Sequence, residues 1–120
     1  MGGGPEGLAE IILTKDGEQK ALRFKIDEIK IKKPPKWDGE WRMVIFDIPE
    51  KFKKAREALR NKLINLGFIK LQESVFVLPY ECEDEINFIM EVFLIRLFVM
   101  FMRVKSFTNE EQMKLKFDLF

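Results

Sequence analysis

The chain has 120 residues, 47% hydrophobic and 34% charged, which suffices for one compact core and an appendage but not for two full domains. Its 21 basic and 20 acidic residues leave a net charge of +1, so any polyanion contact must come from a local patch and not from a global field. There is no histidine and a single cysteine, Cys82, which excludes intrachain disulfides, histidine or multi-cysteine metal sites and histidine-assisted nucleophiles; hydrolysis here would need carboxylates and a hard metal.

Met1 to Pro5 reads as a leader or appended residues. No basic segment followed by an apolar one opens the chain, and a lone thiol suits a reducing compartment, so the expected location is the cytoplasm. Thr14 is placed as the N-cap of a helix to about Ile29, with Leu22, Ile26 and Ile29 on one stripe. The KIKKPPK run from Lys30 to Lys36 carries a double proline that cannot extend the helix and reads as a basic linker. The boundary falls there: a leader, helix and linker over 1–35, then a folded domain over 36–120.

Trp41 to Ile48 predicts a buried strand that turns at Asp47 and Pro49 into a helix. In that helix Phe52, Ala55, Leu59, Leu63 and Leu66 recur at helical spacing and Gly67 supplies the stop. Its other face carries Lys51, Lys53, Lys54, Arg56, Arg60 and Lys62. Phe68 to Leu78 predicts two short strands around a turn near Gln72 and Glu73, closed by Pro79. Glu83, Asp84 and Glu85 suit a first helical turn, followed by the stripe Ile86, Ile89, Met90 and Phe93. Leu97 to Val104 predicts a last strand, and Thr108 with Glu111 predicts a capping box on a short final helix through Met113 and Phe117. The apolar stretch Ile86 to Val104 approaches a bilayer-spanning length, but Glu91, Arg96 and Arg103 argue against a membrane span.

The order strand, helix, strand, strand, helix, strand is the ferredoxin-like α+β arrangement, a four-stranded antiparallel sheet with both helices on one face, here with an extra N-terminal helix and a short C-terminal one. Such a sheet should alternate apolar and polar residues, because its second face meets water. Met43, Val44, Ile45 and Phe46 break that rule in the first strand, as do Leu97 to Met102 in the last. A soluble monomer rarely leaves so large an apolar face wet. A two-fold homodimer is the expected cover, through Trp41, Met43, Ile45, Phe76, Val99 and Phe101, with a three-layer monomer as the alternative.

The stretch Trp37-Asp38-Gly39-Glu40-Trp41-Arg42, then Val44 to Glu50, the basic helix ending Leu66-Gly67-Phe68, and Leu71-Gln72-Glu73-Ser74-Val75-Phe76-Val77 closely resembles the central domain of PaaX-type transcriptional repressors. That domain is similar in turn to the small CRISPR-associated endonuclease that partners the spacer integrase. Leu13 to Gly17 with Ala21 and Leu22 also looks like the closing helix of a winged-helix domain. The resemblance implies a dimer whose sheets meet face to face. It implies one of two roles: a nucleic-acid-associated module of a PaaX-like regulator, or a Mg²⁺-dependent endonuclease or structural subunit in spacer acquisition, with an integrase as partner.

In the nuclease family the aspartate ending the first strand is the proposed Mg²⁺ ligand, and Asp47 matches that position. The acid otherwise found on the strand Val75 to Leu78 is missing, and the Trp-Asp-Gly lead-in leans toward the PaaX type. Asp47 therefore has two readings, a metal-binding catalytic carboxylate or a turn residue that satisfies backbone amides. Lys51, Lys53, Lys54, Arg56, Arg60, Gln72 and Ser74 are the candidate nucleic-acid contacts, DNA more than RNA, against the plain alternative of a solvated face and ordinary hairpin residues. Cys82 reads as a packing residue. Trp37 and Trp41 read as core or interface anchors, with base-stacking platforms as the alternative.

Overall fold

In the computed structural model, residues 25–119 are described; the leader and all but the end of the predicted N-terminal helix lie outside them. That end is seen as helical residues 25–28, with Ile26 buried in the core.

The sheet comprises β1 (Trp41–Phe46), β2 (Ile69–Gln72), β3 (Val75–Leu78) and β4 (Val99–Val104), ordered β2-β3-β1-β4 and antiparallel throughout. Helix α1 (Lys53–Asn65) follows β1 after one 3₁₀ turn, α2 (Glu83–Val92) follows β3, and α3 (Glu110–Phe117) closes the chain. This is the ferredoxin-like arrangement expected from the sequence. Pro49 sits extended at the entry to the 3₁₀ turn, and Gly67 ends α1 with φ +103°, a conformation side chains rarely adopt.

Pairing of Val44 with Phe76 and Phe101, and of Phe46 with Val99, puts these residues on one face of the sheet. There they pack with Leu59 and Leu63 of α1 and Ile86, Ile89 and Met90 of α2 as the main core. The other parity, Trp41, Met43 and Ile45 with Val75, Val77, Met100, Met102 and Val104, faces away from those helices. Helix α3 lies on part of this second face: Met113 forms a smaller cluster with Trp41, Met43 and Val77, against which Phe107, Phe117 and Leu119 pack.

Three details depart from the sequence reading. Leu97 and Phe98 belong to a 3₁₀ turn (Arg96–Phe98) and not to the strand, because Phe98 N–H bonds back to the Ile95 carbonyl and β4 pairing begins only at Val99. The Thr108 capping box does not form: Asn109 takes the cap in the left-handed region at φ +68°, and Glu111 reaches Lys114 instead. Phe76, Val99 and Phe101, expected at a dimer interface, sit on the helix-covered face; when both parities are apolar, alternation carries no information about which side faces out. Among the described residues, no helix is long and apolar enough to cross a membrane.

Both tryptophans lie under or beside α3. Trp41 is fully buried, 5.0 Å from the Trp37 ring and 5.1 Å from Phe107, and its Nε1 donates to Glu110 Oε2 at 3.1 Å. Tryptophan emission therefore reports the packing around this pair, to which α3 contributes through Met113, Phe117 and Glu110. Met113→Asp is expected to shift emission to the red and cost about 2 kcal/mol, with far-UV circular dichroism nearly unchanged. Unshifted emission would mean that something other than α3 shelters the pair.

Candidate functional site

The candidate residues gather at the end of the sheet where β1 stops. Asp47 is exposed, and its amide donates to the Phe98 carbonyl at 2.9 Å; the Phe46 amide donates to the Ser74 carbonyl at 3.1 Å. These two bonds bring the hairpin tip, the 3₁₀ turn and the start of α1 together. Beside Asp47 lies an open groove of about 320 Å³ lined by Ile45, Phe46, Leu97, Phe98, Val99 and Met100. Its apolar wall is wet: Leu97 is 93% exposed and Met100 56%.

A Mg²⁺ site needs several oxygen ligands converging on one point. Among the described residues no group of three or more acidic, cysteine or histidine side chains could hold a metal ion. The nearest acid in sequence, Glu50, is tied to Arg56 at 2.9 Å, an ion pair that holds its carboxyl below the usual range. Within one chain, Asp47 does not fit a magnesium centre, and no chemical step is assigned to it.

The basic face of α1 is largely neutralised from within. Arg56 pairs with Glu50 and donates to the Ile48 carbonyl at 3.2 Å, Arg60 lies 3.7 Å from Glu73, and Lys53 lies 4.0 Å from Glu57. Lys62 is only 8% exposed and leaves the solvated face altogether. Lys51 sits over the Phe52 ring at 5.3 Å, and Lys54 is exposed and unpaired among the described residues. Gln72 and Ser74 lie at the hairpin tip beside Glu73, so a carboxylate stands in the middle of the expected phosphate contacts.

Sequence reasoning missed a second constellation, at the opposite end of β1. Arg42 is 2% exposed, on the helix-facing side of the sheet. Its Nη1 donates to Asp38 Oδ1 at 2.9 Å, to the Glu40 carbonyl at 2.9 Å and to the Pro79 carbonyl at 3.0 Å; its Nη2 donates to Asp38 Oδ2 at 2.6 Å and to Glu81 Oε1 at 3.0 Å. Arg103 faces Arg42 across the β1–β4 ladder, a repulsive placement, but it donates to the same Glu81 oxygen at 2.9 Å. Gly39, at φ +85°, lets the chain turn so that Asp38 comes back onto Arg42. The Trp-Asp-Gly-Glu-Trp-Arg motif is thus an architectural lock, two aromatic anchors and a bidentate ion pair across a glycine turn. The spacing of Asp38 and Arg42 was the signal that could have found it.

This lock polarises its ionisable groups. The Arg42 guanidinium holds the Asp38 carboxyl below its ordinary value. Burial pushes Glu81 up, but the Glu83 amide, Arg42 and Arg103 together bring it below the ordinary glutamate value. Burial first, then Glu81, pushes the Cys82 thiol up to about 12, so it is unreactive.

Because the folded carboxyls are depressed, their stabilisation is present above the unfolded carboxylate range of about 3.9–4.3 and lost as pH falls through the folded values. Asp38→Asn is expected to lower stability near neutral pH by about 1–2 kcal/mol, discounted for the exposed carboxylate. Urea melts should show that gap closing as the pH drops below about 4; a gap independent of pH would contradict the ion-pair assignment.

No curated protein and no solved structure matches the chain. A family model described as the PaaX protein central Cas2-like domain matches residues 34–115. That span begins at the double proline, takes in the Arg42 lock and all four strands, and ends within α3. With well over half of its length inside the match, the chain belongs to the family of the PaaX central Cas2-like domain.

Proposed function

We propose that this chain is the dimerising, nucleic-acid-associated domain of a PaaX-like transcriptional regulator. The single observation that carries the reading is the wet apolar groove beside Asp47, where Met100, on a part of the second sheet face that α3 leaves open, and Leu97 of the adjoining 3₁₀ turn stand exposed. Met113 and its neighbours already cover the Trp41 end, so a second copy is needed only at the Ile45 end. Isologous pairing there sets the two Asp47 residues near the two-fold axis. A pairing confined to this groove should be reversible and dependent on concentration.

A regulator module needs no metal, and an isolated Asp47 suits a turn better than catalysis. The pairing reading is tested with the double variant Leu97→Asp, Met100→Lys. Wild-type protein should sediment at twice the chain mass at micromolar concentrations, and the variant should sediment as a monomer with an unchanged melting profile. A variant that stays dimeric would move the interface elsewhere. Mg²⁺-dependent cleavage of RNA or duplex DNA by the wild type, abolished in Asp47→Asn with the dimer intact, would replace this reading by that of an endonuclease.

A further inference from the structure

The most basic exposed segment of the described chain is not α1 but residues 30–36. Lys30, Lys32, Lys33 and Lys36 are all exposed, and no carboxylate among the described residues pairs with any of them. Of the nearby acids, Asp38 is committed to Arg42, and Asp27, Glu28 and Glu40 make no ion pair with these lysines. In α1, by contrast, Glu50, Glu57 and Glu73 hold three of the cations.

A lysine-rich tether is usually just solvated, but this one is fixed at both ends. Ile29 and Ile31 pack against the main core on the helix side of the sheet. Trp37 packs into the cluster on the other side, where its Nε1 donates to the Glu40 carbonyl at 2.9 Å and Lys114 lies over its ring. Between those anchors Pro34 and Pro35 restrict φ to near −65°. None of residues 30–36 belongs to a helix or strand, and no backbone carbonyl among the described residues engages their amides. The segment is a strap running from one face of the domain to the other, its backbone anchored at both ends and its lysines in solvent.

The strap leads into the start of β1, whereas Asp47 and the α1 cations lie beyond its end. Five residue steps at about 3.3 Å put roughly 17 Å of strand between the two regions. Six extended steps along the strap span at most about 20 Å, the axial length of about six phosphates on one strand of a duplex.

We infer that the strap of Lys30, Lys32, Lys33 and Lys36 grips the phosphate backbone of duplex DNA, at the end of the domain opposite the pairing groove. This rests on the nucleic-acid-associated reading above and moves its binding surface from α1 to the strap. Pairing at one end then leaves one strap on each outer side of the dimer. The grip is blind to sequence, because ammonium groups on phosphates carry no base information.

The test is fluorescence anisotropy with a short duplex of random sequence over a salt series. It compares the wild type, a strap variant (Lys30→Gln, Lys32→Gln, Lys33→Gln, Lys36→Gln), its all-arginine counterpart, and an α1 variant (Lys51→Gln, Lys54→Gln). Tryptophan emission, which reads Trp37 directly, checks that the strap variant keeps its anchors. The strap variant should bind at least tenfold more weakly at low salt. The slope of log affinity against log salt should fall by up to about 3.6, at roughly 0.9 for each of the four phosphates no longer neutralised. The arginine variant should bind as the wild type does, and the α1 variant should change the slope by less than about 1. If the strap variant matches the wild type while the α1 variant binds more weakly, the inference fails and the nucleic-acid reading stands. If the wild type does not bind duplex at all, that reading fails too. Binding to vesicles of anionic lipid, but not to the duplex, would overturn the strap's assignment in favour of a membrane surface.

Discussion

The fold turns on one constraint: β1 is central in the sheet and apolar on both sides, so both faces beside it must be covered. Helices α1 and α2 cover the face of Val44 and Phe46. On the other, Trp41 and Met43 draw α3 back across the sheet, and the covering stops short of Ile45 and Met100. What α3 shields and what it leaves open follow from the same excess of apolar surface, worth about 25 cal/mol per Å² removed from water. A helix of eight residues reaches only about 12 Å, less than the length of the strand it lies on.

The exception in β1 is Arg42, a buried cation in an otherwise apolar strand. Burying a guanidinium is costly unless its donors are met; here two carboxylates and two backbone carbonyls meet both terminal nitrogens, while Nε is buried with no partner among the described residues. The arrangement joins the chain entering β1 to the loop leaving β3, so the strap and the sheet are held as one piece. Removing Asp38 would loosen the approach of the strap as well as the strand.

Much of this architecture was legible from residue order alone. Helical spacing marked Leu59 and Leu63, the acidic turn at Glu83 marked the start of α2, and Gly67 and Pro79 punctuated the elements as expected. The sheet face was not legible at Phe76, Val99 and Phe101, because a strand apolar on both parities gives no phase. The charge balance of α1 was not legible either: Arg60 meets Glu73 from the hairpin tip, an ion pair that exists only once β2 and β3 are folded. Asp38 and Arg42 could have been read as an ion pair from their spacing, but the burial that gives the pair its weight comes from the Pro79 and Glu81 loop, far along the chain.

The two ends of the sheet differ. One end offers an apolar groove beside Asp47, with Glu50 and Glu73 tied up in ion pairs; the other offers a run of lysines that no carboxylate among the described residues pairs with. These two ends are what the proposed function rests on: copies joined at the first, a polyanion engaged at the second. Pairing at the groove is tested most sharply by oxidative cross-linking through position 47. The native Cys82 is buried, its thiol pushed up to about 12, and stays silent as an internal control. If two copies meet at the groove, Asp47→Cys should form a disulfide-linked dimer, since the bond closes only when the two Cβ atoms come within about 4.5 Å. Leu115→Cys, on the exposed side of α3, should remain monomeric. Cross-linking at 115 and none at 47 would refute pairing through the groove.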